Sequence, residues 1–162
     1  MRILGVDPGL KATGYGVIEV GASNTIQSVR LLETGTIEPK ASGSLPEKIA
    51  TIYKNLDAIV AEHSPEVMIL EKLYAHYKHP TTACILGHAR GVICLVCAHR
   101  KIKLVEQSVK RIRKALVGNG SATKEQTKAV VAHILKFNPE KITLDASDAL
   151  ALALGHAHLA RY

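Results

Sequence analysis

Tryptophan is absent from this 162-residue chain, phenylalanine occurs once and tyrosine five times. With so few aromatic rings, a buried core has to be built from aliphatic side chains. Cysteine is scarce as well. Cys84, Cys94 and Cys97 make no disulfide framework, and their odd count fits a reducing compartment. Cys94 and Cys97 have C-x-x-C spacing, but no second pair or suitably spaced His completes a zinc site and the run ICLVCA is apolar, so core cysteines on a helix are expected there. No uncharged run approaches the roughly 18–20 residues that a membrane span needs. The opening MRILGVDPG sets an acid at position 7, which is no secretory apolar region. A cytoplasmic chain is expected. The most apolar helical stretch, between Pro80 and Ala98, carries His88 and Arg90 and reads as a core or interface helix. Repeats, low-complexity tracts and linkers are missing, so residues 1–162 are expected to form a single domain.

What is present is a globular composition, 47% apolar and 22% charged. Ile3 to Val6 reads as a buried strand ending at Asp7, where Pro8-Gly9 turns the chain. Gly14 to Val20 and roughly Thr25 to Ile37 follow as strands, which implies an antiparallel three-stranded unit. Ser44-Leu-Pro-Glu47 has capping-box spacing before a helical stripe of Ile49, Ile52, Leu56, Ile59 and Val60. His63-Ser64-Pro65 ends that helix. Val67 to Leu70 has the continuous apolar character of a central strand. A helix from about Pro80 follows, with Gly87 and Gly91 allowing a neighbour close. Lys103 to Glu106 is a short strand, and Ser108 caps a helix with the stripe Val109, Ile112 and Leu116. Thr123 to Gln126 opens another helix, and a last one runs from near Asp145 to about Ala160. Hairpins followed by alternating helices and strands give an α/β fold around a mixed sheet.

The positive charge is concentrated. From Arg100 to Lys141 eleven Lys or Arg face three acids, a net of +8, while the whole chain is only +7. Such a zone suits a phosphate backbone; a solvated, Lys-rich surface has the same composition. Lys110, Arg111, Arg113 and Lys114 lie opposite the Val109/Ile112/Leu116 stripe, which predicts one buried and one positive face.

Four carboxylates form the chemical candidate. Asp7 and Glu71 each directly follow a four-residue apolar strand, and open α/β sheets build their sites beyond the carboxyl ends of central strands. Asp145 and Asp148 are three apart at a helix start and share a face. A stripe of Ala146, Ala149, Ala153, Ala157 and Ala160 would let that helix lie close to the sheet and bring its acids towards Asp7 and Glu71. Converging carboxylates need a counter-charge, and hard divalent cations such as Mg²⁺ or Mn²⁺ supply it. Each acid alone has an ordinary reading: Asp145 as an N-cap, Glu71 as the start of a loop, Asp7 as a turn residue. His156 falls about three helical turns beyond Asp145, either to orient a ligand or as a packed helix histidine.

The stretch GVDPGLKATGYGVIE (Gly5 to Glu19) resembles the opening of RuvC-type Holliday-junction resolvases, the crossover junction endodeoxyribonucleases. The likeness continues through ILEKLY (69–74), GHARGV (87–92), VGNGSATKEQ (117–126) and DASDALALALGHAH (145–158), in the family's order and over nearly the whole chain. It implies a ribonuclease-H-like mixed five-stranded sheet flanked by helices, a homodimer, and Mg²⁺-dependent symmetrical nicking of four-way junctions. The family's catalytic acids fall on Asp7, Glu71, Asp145 and Asp148; some members carry His at the position of Asp145. Tyr74 falls where the family has an aromatic, often Phe, that stacks near the crossover, and Arg113 and Lys124 fall on basic positions implicated in DNA binding. A RuvA–RuvB branch-migration complex is the implied partner. His76 and His79 read as a metal pair or as part of a solvated DNA-facing loop.

The mechanism expected from this resemblance uses two Mg²⁺ ions about 4 Å apart, with Mn²⁺ able to substitute, and leaves 5′-phosphate and 3′-hydroxyl ends. A ribonuclease-H-like enzyme acting on RNA or a hybrid, and a junction binder that does not cut, are the alternatives. Asp7-Pro-Gly9 also faintly resembles the phosphate loop of actin-like ATPases, but the chain is too short for their two lobes. Gly118 to Lys124 lacks the Gly-Lys-Ser/Thr ending of a Walker loop.

Overall fold

A computed structural model describes residues 1–21, 28–72 and 80–160. Five strands, β1 (Arg2–Asp7), β2 (Thr13–Val20), β3 (Val29–Ile37), β4 (Val67–Glu71) and β5 (Lys103–Gln107), form one sheet in the order β3-β2-β1-β4-β5. The first three are antiparallel, as the two turns in the sequence require. β4 joins β1 in parallel and β5 joins β4 in parallel, each after a helical crossover. The third strand begins at Val29, and Thr25 lies outside the described residues.

The helices are α1 (Leu45–His63), α2 (Pro80–Arg100), α3 (Val109–Val117), α4 (Lys124–Leu135) and α5 (Leu144–Ala160), with a 3-10 turn at Pro139–Lys141. Ser44 and Glu47 close the expected capping box on α1, and Thr123 and Gln126 close a second on α4. Asp145 is not the cap of α5. Thr143 takes that place, its hydroxyl accepting from the Ala146 N–H at 3.1 Å, so Asp145 sits inside the first turn.

Strand alternation divides the core in two. Leu4, Val6, Val17, Met68 and Leu70 face α1 and α2, whose Ile52, Leu56, Ala89, Ile93 and Val96 complete an aliphatic cluster. Ile3, Ile18, Val67 and Ile69 face α5, with Ile112 of α3 and Val131 of α4 on its other side. The second layer is the unusual one. Apart from the half-buried Asp148, α5 is buried from Ala146 to His156, sandwiched between sheet and outer helices, so its apolar residues run all the way round.

The alanine stripe of α5 meets glycines on the sheet. A Cβ on Gly5 would come within 1.9 Å of the Ala149 carbonyl oxygen, and one on Gly14 within 2.1 Å of the Asp145 oxygen. Gly16 similarly lies under Leu150. Backbone therefore rests on backbone, which only a residue without a side chain permits.

α2 differs from expectation in two respects. Cys97 is buried, 3.4 Å from Met68 Sδ, but Cys84 and Cys94 are exposed because they lie on the helix's outer side. No other part of the described chain comes within 4 Å of where Cβ atoms of Gly87 and Gly91 would be, so no neighbour within the chain uses that closeness. Ile85 and Leu95 are exposed there too. Thr81–Arg100 is long and apolar enough to cross a membrane by length and composition, though Arg90 near its middle turns inward to pair with protein groups.

Candidate active site

β1 and β4 are adjacent and parallel, with Val6 opposite Leu70. Their last residues, Asp7 and Glu71, consequently stand side by side at one end of the sheet, on strands about 4.8 Å apart. Two-residue periodicity fixes the side on which they emerge. Asp7 follows Gly5, and Glu71 follows Ile69, both of which face α5. The first turns of α5 arrive at the same place. Gly14, paired with Asp7 across the β1–β2 ladder, lies against the Asp145 backbone, and Asp148 is three residues further along the helix.

The resulting cavity of about 220 Å³ is lined by Asp7, Glu71, Asp148, Lys124, Arg113 and Thr127, with Val109, Ile112, Ala151 and Leu152 as its apolar wall. Lys124, the first residue of α4, places its ammonium in an ion pair with Asp148. Arg113 Nε is buried with no hydrogen-bond partner among the described residues.

The electrostatics show how crowded the acids are. Asp7 is raised from 3.8 to about 7 by burial first, then by Asp148, Glu71 and Asp145, with Lys124 opposing. Glu71 is raised by burial and by Asp148, against the pull of Lys124, Arg113 and Arg90. Burial disfavours the Lys124 charge, but Asp148, Asp7 and Asp145 outweigh it and hold its pKa above the usual lysine value. An acid-rich pocket with one ammonium inserted among its carboxylates is short of positive charge. Its donors are all hard oxygens, which fits a divalent Mg²⁺- or Mn²⁺-type cation.

Two residues not singled out as site residues hold the acids in position. Arg90 donates to the Glu71 carbonyl at 2.5 Å and pairs with Glu106, tying the end of β4 to α2 and β5. Thr13 closes the Pro8-Gly9 loop, donating to Gly9 O at 2.7 Å and accepting from Gly9 N–H at 3.3 Å. A guanidinium in an otherwise apolar helix was the available signal for Arg90; Thr13 carried none.

The other candidate residues divide. Lys110, Arg111 and Lys114 are exposed on α3, whereas Arg113 turns away from them into the acid pocket. His156 is buried, with its pKa lowered by burial and by Lys103 at the opposite end of β5, and it does not line the pocket. Eight residues of helix separate it from Asp148, roughly 12 Å of rise. Tyr74, His76 and His79 lie outside the described residues.

A parallel–antiparallel sheet of this order, with carboxylates gathered at its strand ends against a buried helix, defines a ribonuclease-H-like nuclease fold. Among solved structures, Thermus thermophilus RuvC has a TM-score of 0.87 at 25% identity, covering 99% of this chain and 96% of that one. T. thermophilus RuvC in complex with Holliday junction substrate has a TM-score of 0.89, also at 25% identity, covering 99% and 95%. The family model for crossover junction endodeoxyribonuclease RuvC matches residues 3–156. The crossover junction endodeoxyribonuclease RuvC of Rhodopirellula baltica is 39% identical over 95% of this chain and 85% of its own length. That of Dechloromonas aromatica is 36% identical over 97% and 84%. The chain belongs to the RuvC family of crossover junction endodeoxyribonucleases, whose members are metal-dependent.

Proposed function

We propose that this chain, as a single nuclease domain in the cytoplasm, resolves four-way DNA junctions in recombination and repair. It does so by paired, symmetrical nicks that leave 5′-phosphate and 3′-hydroxyl ends. The observation that carries the reading is the gathering of Asp7, Glu71, Asp148 and Asp145 around Lys124, in a family whose solved member binds a Holliday junction.

Asp7, Glu71, Asp145 and Asp148 are the catalytic acids and would hold Mg²⁺, two ions per subunit, with Mn²⁺ as a substitute. When bound, the metal supplies Lewis-acid charge at the scissile phosphate and lowers the pKa of water. Asp7 must give up its proton to serve as a ligand, which burial and then the neighbouring acids resist in the metal-free state. Lys124 pairs with Asp148, and would put an ammonium beside a bound strand if a metal took over that carboxylate. Arg113, with a buried donor and no partner among the described residues, can do the same for a phosphate oxygen. The exposed Lys110, Arg111 and Lys114 contact backbone phosphates further out, contributing affinity without base selection. Tyr74 stacks on a base near the crossover.

Symmetrical nicking calls for two sites related by a two-fold axis. The outer side of α2, with Gly87 and Gly91 open and Ile85 and Leu95 exposed, suits pairing with a second copy. A RuvA–RuvB branch-migration complex would deliver the junction.

The deciding experiment is Asp7→Asn on a synthetic four-way junction with Mg²⁺. Cleavage should fall by at least about 10²–10³-fold, the scale of a lost catalytic electrostatic group, with junction binding retained. Undiminished cleavage would overturn the assignment. Substrate arms of RNA and RNA–DNA hybrid separate this reading from a ribonuclease, and Leu95→Glu should shift sedimentation from dimer to monomer.

A further inference from the structure

On the opposite side of the sheet from the acids, α1 ends against β2 and β3. Val17 pairs with Glu33, and the Val17 side chain lies in the α1/α2 cluster, so Glu33 faces that layer. Glu62 and His63, the last two residues of α1, meet it there. One ligand atom from each of Glu33, Glu62 and His63 lies within 4.8 Å of the other two.

We propose that these three residues form a second metal site, for a Zn²⁺-type transition-metal ion, that clasps the end of α1 to β3. Four features support it. His63 Nε2 and Glu33 Oε2 are hydrogen-bonded at 2.5 Å, so the imidazole and the carboxylate already face one another, and an ion would take the place of the proton they share. Neither Glu33 nor Glu62 pairs with a Lys or Arg among the described residues, in a chain with 21 of them. The Tyr15 hydroxyl donates to Glu33 Oε1 at 2.7 Å, orienting the carboxylate with Oε2 towards His63, as outer partners of metal ligands commonly do. Beside the three lies a cavity of about 290 Å³ that Tyr15, Glu33 and Glu62 help to line, with room for water as a further ligand.

The donor set selects the ion. Two carboxylates neutralise a divalent charge, and imidazole favours Zn²⁺ and its neighbours over the all-oxygen ions Mg²⁺ and Ca²⁺. The catalytic acids, which offer only oxygen, have the opposite preference. The backbone of α1's end is held independently of any metal. Arg2 Nη1 donates to His63 O at 2.9 Å, and the left-handed Ser64 returns its N–H to Val60 O. The ion would thus lock an end that is already placed.

The test is Zn²⁺ titration of the full chain against a chromophoric chelator. Excess Mg²⁺ occupies the catalytic acids, and the titration is repeated on a chain carrying Cys84→Ser and Cys94→Ser so that thiols do not compete. One Zn²⁺ per chain should bind. Glu62→Gln and His63→Asn should each weaken binding at least about tenfold, and Tyr15→Phe by about tenfold as the loss of an outer hydrogen bond. Zn²⁺ should raise the melting temperature of the natural chain and not of Glu62→Gln. Because Glu62 is exposed, that variant retains the fold and keeps the test decisive even if His63→Asn unfolds. Absence of stoichiometric Zn²⁺ binding, or binding unchanged by Glu62→Gln, would overturn the site.

Discussion

The two faces of the sheet are built by different physics. On the α1/α2 face, large side chains such as Ile52, Leu56, Met68 and Ile93 interdigitate, and the helices stand off by their length. On the α5 face, Gly5 and Gly14 let helix backbone rest on strand backbone. Side-chain packing tolerates small adjustments; backbone contact does not. The catalytic candidates are all on the second face. A site made of acids from two strands and one helix needs its parts held to fractions of an ångström, and direct backbone contact provides that.

One substitution on each face separates the two kinds of packing. Gly5→Ala drives a methyl into the Ala149 carbonyl, which no rotamer change relieves. A stability loss of about 3 kcal/mol, the upper end of overpacking costs, is expected in denaturant unfolding, and the remaining folded protein should cut junctions poorly. Leu56→Ala should cost a similar amount, about 2–5 kcal/mol for a cavity in an aliphatic core, while its folded fraction cuts normally. Equal activity per folded molecule in the two variants would remove the distinction.

A pH effect on stability, without a change of packing, comes after these. Asp7 in the metal-free fold has a pKa near 7 against 3.8 as its ordinary value, so between those values the folded chain holds a proton the unfolded chain has released. Stability without metal should therefore fall as pH rises from about 4 to 7, by at most roughly 4 kcal/mol for a shift of this size. Asp7→Asn should flatten that slope and stabilise the metal-free protein at pH 8. Unfolding curves in a chelating buffer at pH 5 and pH 8 measure it; parallel behaviour of the two proteins would sink the idea.

The smallest effect concerns charges that belong to neither face. Lys110→Ala, Arg111→Ala and Lys114→Ala should each lower the slope of log binding constant against log salt by up to about 1. Cleavage at saturating junction should barely change. Arg113→Ala should behave differently, reducing turnover as well, because Arg113 lines the acid pocket.

Much of this was legible without coordinates, for identifiable reasons. Apolar runs ending in an acid at Asp7 and Glu71, the Ser44–Glu47 and Thr123–Gln126 capping boxes, and the Ile52-to-Val60 stripe are local signals with local causes. The inward turn of Arg113, the exposure of Cys84 and Cys94, and the distance of His156 from the acids were not, because each depends on which side of a helix meets a neighbour. The Glu33–Glu62–His63 group was invisible for a related reason: Glu33 is about thirty positions from the other two.

Hydrophobic period, turn residues and family blocks are all written along the chain, so the elements, their order, membership of the RuvC family and the choice of four candidate acids could be read from it. Only the packed fold brings Asp7, Glu71 and Asp148 into one pocket with Lys124 and Arg113, with Asp145 near enough to act on Asp7 but not lining it, and lets a histidine and two glutamates meet on the far face. The physical reason is that convergence depends on how closely layers pack. Here that was settled by glycines on β1 and β2 lying beneath the alanines of α5.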